Sequence, residues 1–492
     1  MFINFLLLFF LISSNNFASA NNVAGAQIQF SKNGLNYVAG LAIEALNQKL
    51  NGMTIPDISS MLKFSYHLSN IKIDQFNIPQ SSNLINFSPT DKFGIDMTGL
   101  SAKVTAHYQV KVKEGFIHVS KSGDVEIEIS STSIAAEVAI SSKNGHPFLS
   151  PQTCNVNFGE FDIKFHGSLL DDIIDLFKKE IEKHLKPKIE SIVCTELENL
   201  ETNQGNALLE SIPLDIGLSG ELSGFHVNYA LTSNPESSTT SFTIPIEGFI
   251  YYNGHNNDAG IPKASNVIHP YSTDKYLCID FDGDRMLGSA AYAFKVSPLS
   301  NFLIDDNLLS KFPKSVQDFF QCTCADKLCI GELIPEIKND CLPGKSVAID
   351  ASAIAFPGFH FNSTGIYINA TGTGTFQVVT PKGEKMDLFD LEMDLGLLLE
   401  SDLKITNWKV TGDIELYEYH FKVLKSAVGP ISTNTIQSII DKALKVIILD
   451  LADHYLEQGF PLPSIKDMTI TEPTFKFGAE LLSFCADFEL HA

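Results

Sequence analysis

The run Phe161-Asp162-Ile163-Lys164-Phe165 alternates apolar and charged side chains, so it reads as a strand with one face on a core and the other in water. Directly after it, Leu169, Ile173, Phe177, Ile181, Leu185, Ile189, Ile192 and Val193 recur at helical spacing and form one apolar stripe. Ser168 is placed to cap that helix, and Asp171 and Asp172 suit the positive end of its dipole. Pro187 removes a backbone donor inside the helix and predicts a bend. Cys154 stands before the strand and Cys194 near the helix end, 40 residues later. In an oxidising compartment two such thiols are expected to cross-link, stapling a long helix to a sheet. A helix laid along a twisted sheet can enclose an elongated apolar groove, a shape suited to acyl chains.

The oxidising compartment is itself read from the sequence. The first 20 residues carry no charge, contain the apolar run Phe5–Ile12 and end in Ala18-Ser19-Ala20, which predicts a signal peptide over 1–20. No later stretch approaches the roughly 20 apolar residues needed to span a bilayer. Three glycosylation sequons begin at Asn86, Asn362 and Asn369. The expectation is a secreted protein, or one delivered to an endolysosome by the secretory route.

Working outward, the element order repeats. Leu35, Val38, Ala39, Ala42, Leu46 and Leu50 predict an opening helix over 33–50. Val104, Ala106, Tyr108, Val110 and Val112 alternate with polar residues as a strand, and so do Val125, Ile127 and Ile129. The second half offers a short helix near 301–320, strands around 388–393, 403–410 and 414–416, and a long helix over 433–457. The stripe of that helix includes Ile440, Leu444, Ile447, Ile448 and Leu451. Residues 253–271 are rich in Gly, Asn and Pro and lack periodicity. The predicted division is therefore a first unit over 21–252, a linker over 253–271 and a second unit over 272–492. Each unit is an α+β assembly of twisted antiparallel sheet and long helix.

Charge limits the function. The 492-residue chain has a formal charge of −23 with Arg285 as its single arginine, which argues against nucleic acid, whose phosphates demand basic surface. Simple electrostatic capture by anionic membranes is disfavoured for the same reason. Cys278, Cys322, Cys324, Cys329, Cys341 and Cys485 allow fifteen pairings, and disulfides are expected there rather than a zinc site. Asp280-Phe281-Asp282-Gly283-Asp284 lacks the Gly and Glu positions of an EF-hand loop and reads as a polar turn between strands. The sequence has no Gly-x-Ser-x-Gly elbow and no His-Glu-x-x-His motif, so no catalytic residue, metal or cofactor is assigned.

The chain resembles the family of bactericidal/permeability-increasing protein, lipopolysaccharide-binding protein and cholesteryl ester transfer protein. The residues that carry the resemblance are Ser31-Lys32-Asn33-Gly34-Leu35-Asn36-Tyr37, Ile55-Pro56-Asp57, the Cys154/Cys194 interval, and Gly459-Phe460-Pro461-Leu462-Pro463. It implies a boomerang of two similar barrels joined by a central sheet, each holding a phospholipid, with a Cys154–Cys194 bridge. It also implies a monomer that binds lipopolysaccharide or related amphiphiles, with action on the bacterial outer membrane in antibacterial innate immunity. The chain departs from the family at the tip of the first barrel. There the antibacterial members place basic residues against lipid A, whereas Leu50–Ile55 holds none and only Lys111, Lys113 and Lys121 lie nearby.

The expected lipid-pocket residues are Leu35, Val38, Ala42, Ile173, Phe177 and Ile181 in the first unit, and Ile440, Leu444, Ile447 and Leu451 in the second. The alternative readings are a lipid carrier without lipopolysaccharide specificity, and a secreted lipid hydrolase, which would need a serine brought beside a histidine by the fold.

Overall fold

A computed structural model describes residues 24–491 other than 62–63, 82, 88–90, 115–116, 168–170, 265–267, 269–273, 326, 458 and 479–480. Side chains at 61, 64, 112–114, 117–119, 171–173, 221 and 455 also lie outside the description. The expected signal peptide and the Ser168 cap therefore fall outside the described residues.

The opening helix, Lys32–Leu50, starts where Ser31 Oγ accepts from the Gly34 N–H at 3.1 Å. Ile43, Leu46 and Leu50 are buried along one face. Three asparagines fasten the helix to the chain beside it. Asn36 Oδ1 accepts from the N–H groups of Leu84 and Ile85 at 3.0 and 2.9 Å. Asn47 and Asn51 exchange hydrogen bonds with the backbones of Ile78 and Phe76 at 2.7–3.1 Å. These side chains pair backbone groups that would otherwise be unsatisfied at the sheet edge.

That helix belongs to an antiparallel sheet built from Phe64–Asn77, Lys92–Glu114, Ile117–Lys143 and His146–Asn157, with Glu160–Gly167 paired to the first part of Ile117–Lys143. The alternation read from sequence appears as register: Val104 opposes Ile127, Ala106 opposes Val125, and all four are buried. The long helix Asp171–Asn199, with Pro187 inside it, packs Phe177, Ile181, Leu185, Ile189 and Val193 into the same core. Cys194 on this helix is bonded to Cys154 on strand His146–Asn157 (Cα–Cα 5.8 Å). The helix then runs through a π turn, Leu200–Gly205, into a short helix, Asn206–Glu210.

The second half follows the same plan. Its sheet runs in the order Asn301–Ile304, Ala348–Ala353, Gly365–Val379, Lys385–Glu400, Ile414–Ser426. Its long helix is Thr433–Ile439 and Lys445–Glu457, again interrupted by a π turn, Ile440–Leu444. The expected short helix near 301–320 resolves into strand Asn301–Ile304 and two short helices, Asp306–Leu309 and Lys314–Phe319, with Pro313 standing between them. Neither large sheet closes on itself among the described residues; in each unit the long helix packs into the sheet's core.

Between the units lies a central sheet in the order Glu236–Ser237, Ser241–Ile246, Ala26–Ser31, Leu277–Asp282, Leu481–Leu490, Met468–Gly478. Cys278 and Cys485 face each other across two of its strands and are bonded. The acidic run at 280–284 is not a turn between strands. Asp280 is wholly buried in strand Leu277–Asp282 and is held by Gln27 and Ser483, while Asp282 caps the helix Gly283–Val296 by accepting from Arg285 N at 2.7 Å. Alternating Asp280/Asp282 looks hydrophilic in sequence, but each carboxylate has a specific partner inside. The remaining sulfurs pair as Cys322–Cys341 and Cys324–Cys329, which leaves no thiolate there for a metal.

Candidate functional site: two apolar cavities beside the long helices

The opening helix turns two faces to different tasks. Leu35, Val38, Ala39 and Ala42 line a cavity of about 230 Å³, whereas Ile43, Leu46 and Leu50 fill solid core. The cavity exists because the helix offers two alanines where bulkier residues would reach the opposite wall. That wall comes from Phe93 and Ile95, from Val138 and Ile140, from Phe242 and Ile244 of the central sheet, and from Met468, Phe488 and Leu490 near the chain's end. The first cavity thus lies between the first unit and the central sheet. The π turn closes one side with Leu200, Glu201 and Gly205.

Among the described residues, Glu201 is the single ionisable group in this wall. Burial, and secondarily the Glu198 carboxylate, push its carboxyl from an ordinary 4.5 up to about 7. Nothing in the sequence singles it out, since Glu198–Gly205 is a mostly polar stretch beyond the apolar stripe of the long helix.

The second cavity, about 240 Å³, is bounded by Phe294, Phe302, Ile304, Phe376, Leu391, Met393, Leu444 and Ile448. Its space comes from the strand register: Ala351 opposes Gly374 and Ala353 opposes Gly372, so these cross-strand pairs supply almost no side-chain volume. As in the first unit, a residue of the π turn, Leu444, lines the wall. A larger cleft near Asn33, Tyr37, Glu44 and Gln80 is open and polar, and so is unsuited to an acyl chain.

The structure separates the sequence-derived pocket residues. Leu35, Val38 and Ala42 line the first cavity and Leu444 the second. Phe177 and Ile181 are instead fully buried in solid core, as are Ile440 and Ile447, because each long helix points its most continuous stripe at the middle of its sheet. Leu451 packs against the edge of the second core, and the side chain of Ile173 lies outside the described residues. Periodicity identifies the buried face of a helix; it does not distinguish wall from core.

Of the three lysines, Lys111 is exposed and opposes Ser120, whereas Lys121 opposes buried Val110 and so belongs to the other face of that hairpin. The side chain of Lys113 lies outside the described residues. Asn86 and Asn369 are exposed, and Asn362 Oδ1 accepts from the Thr364 N–H at 2.8 Å in a tight turn.

Among the described residues, one serine does meet a histidine. Ser59 Oγ is 2.8 Å from His67 Nδ1, and His67 Nε2 is 3.3 Å from Asp57 Oδ2. The pair stands on the outer face of its ladder, since the neighbouring pair Ile58–Leu68 points into the core. Both His67 and Asp57 are about half exposed, so water competes for every bond of this chain of groups.

The two halves match the N-terminal and C-terminal domain models of the LBP / BPI / CETP family over residues 34–212 and 222–490. The chain belongs to that family. It is 22% identical over 455 residues to a bactericidal permeability-increasing protein of Sebastes schlegelii, covering 91% of each chain. It is 21% identical to the lipopolysaccharide-binding protein of Bos taurus, covering 93% of this chain and 92% of that one. A crystal structure of lipopolysaccharide binding protein superposes with a TM-score of 0.66 at 18% identity, over 96% of this chain and all of the other. The fold is therefore shared along the whole length, while most side chains differ.

Proposed function

We propose that this is a secreted, non-enzymatic lipid-binding protein that holds acyl chains in its two cavities and uses them to engage bacterial lipopolysaccharide or related amphiphiles. The observation that carries the reading is the pair of apolar cavities, one beside each long helix and each walled in part by that helix's π turn. Names of relatives, one bactericidal and one lipopolysaccharide-binding, supply the bacterial part. Four disulfides and the uncharged leader support the secretory route. The protein is expected to act as a monomer with phospholipid bound and without a cofactor.

Native extraction followed by lipid mass spectrometry tests the core of the proposal: co-purifying phospholipid is expected, and lipid-free protein would refute it. The acidic balance of residues 21–250, 16 lysines against 26 acids, favours a second reading as a lipid carrier indifferent to lipopolysaccharide. Replacing Lys111 and Lys113 with Gln separates the two. Exposed contacts contribute about 0.2–1 kcal/mol each, so lipopolysaccharide capture should fall several-fold and weaken with salt, with phospholipid loading intact. Binding unmoved by either change supports the carrier. The Ser59–His67–Asp57 contact defines the test of hydrolysis: any lipid-ester cleavage that disappears in Ser59→Ala would overturn the non-enzymatic reading.

A further inference from the structure

The two cavities are nearly equal in volume but not in chemistry. The second wall is apolar apart from a few Ser and Thr groups, whereas the first contains a carboxyl. Glu201 lies one residue into the π turn, between two other wall residues, Leu200 and Gly205, and it is half-buried, at the boundary of apolar space and solvent. Among the described residues its carboxyl has neither a hydrogen bond nor an ion pair. Its oxygens are not sealed from solvent, so water is the donor that the polar end of a ligand would replace. Lys49, in the last turn of the opening helix, is already committed to Glu196 at 2.7 Å. Glu198, on the preceding turn, repels it. Strand His146–Asn157 and helix Asn206–Glu210 pack against the same turn, and their ionisable groups His146 and Glu210 are outside the cavity wall.

We propose that Glu201 receives the cationic, hydrogen-bond-donating end of a lipid whose tail fills the first cavity, so that this cavity takes an amine-ended chain in preference to a carboxylate-ended one. The inference rests on the lipid-binding reading above and adds to it a residue and a ligand class. The half-buried position suits an amphiphile: the tail displaces water from the apolar wall, and the ammonium meets the carboxylate at the rim, where burial strengthens a charge-assisted bond. A carboxylate-ended lipid would set two like charges together in the same place.

The test uses delipidated full-length protein titrated at pH 8 with sphingosine, palmitate and diacylglycerol, followed by calorimetry. Glu201→Gln should weaken sphingosine binding about tenfold, strengthen palmitate binding and leave diacylglycerol within about twofold, the size expected for one charge-assisted bond. Glu201→Leu should repeat the loss. In an Ala42→Trp background, which fills the first cavity, adding Glu201→Gln should no longer change sphingosine binding; a persisting difference would place the amine elsewhere and overturn the proposal. Equal sphingosine affinity of wild type and Glu201→Gln, with diacylglycerol still bound, would overturn the Glu201 assignment alone. Failure of the wild type to bind any of the three would overturn the lipid-binding reading itself.

Discussion

Glu201 also has a consequence for stability that needs no ligand. Its carboxyl titrates near 7 in the folded protein against an ordinary 4.5, so between those values the native state holds a proton that the unfolded chain has released. Stability must then fall as pH rises from about 4.5 to about 7 and level off above. Glu201→Gln removes that slope: melting temperatures of mutant and wild type should coincide near pH 4 and diverge in favour of the mutant by pH 8. Two apolar substitutions distinguish core from cavity at the same scale. Phe177→Ala empties a fully buried site and should cost about 3–5 kcal/mol in denaturant unfolding. Ala351→Leu adds volume to the wall of the second cavity opposite Gly374; it should change stability far less and remove that cavity's share of the bound lipid, read as lipid-to-protein stoichiometry.

At the level of elements, the Cys154–Cys194 bridge closes a 40-residue loop between sheet and helix. In the chain-entropy model its removal, as the double Ala variant, should lower unfolding free energy by about 3–4 kcal/mol. This pairing of strand and helix was readable because alternation and helical spacing survive in a single sequence. So were both long helices and the sheets they cover. The π turns were not, since an i→i+5 turn has no spacing of its own and Ile440–Leu444 continues an unbroken apolar stripe. Glu201 was hidden for the same reason: only the π turn carries it to the cavity wall. The asparagines 36, 47 and 51 look like polar positions on a helix surface, and their role depends on backbone that arrives from 25 to 49 residues later. The central sheet followed from the family resemblance and not from the residues themselves, because its neighbouring strands come from distant parts of the chain.

Across the whole molecule, residues 253–271 remain the proposed connection between the units. Limited proteolysis is expected to cut there first, and early cleavage inside either long helix would refute that division. The central sheet should hold the cut halves together, since Ala26–Ser31 of the first lies between its own Ser241–Ile246 and Leu277–Asp282 of the second. That sheet also dictates a schedule for biosynthesis. Strand Leu277–Asp282 can finish its pairing only when Leu481–Leu490 has left the ribosome, some 200 residues after it. Until then the nascent chain presents an unpaired strand edge and an unbonded Cys278, features that invite capture by chaperones and mispairing of thiols. Folding of the first unit can be early and local, but completion must wait for that late strand. A ribosome stalled shortly before residue 481 should therefore yield a product with Cys154–Cys194 formed, Cys278 open to alkylation and a tendency to aggregate.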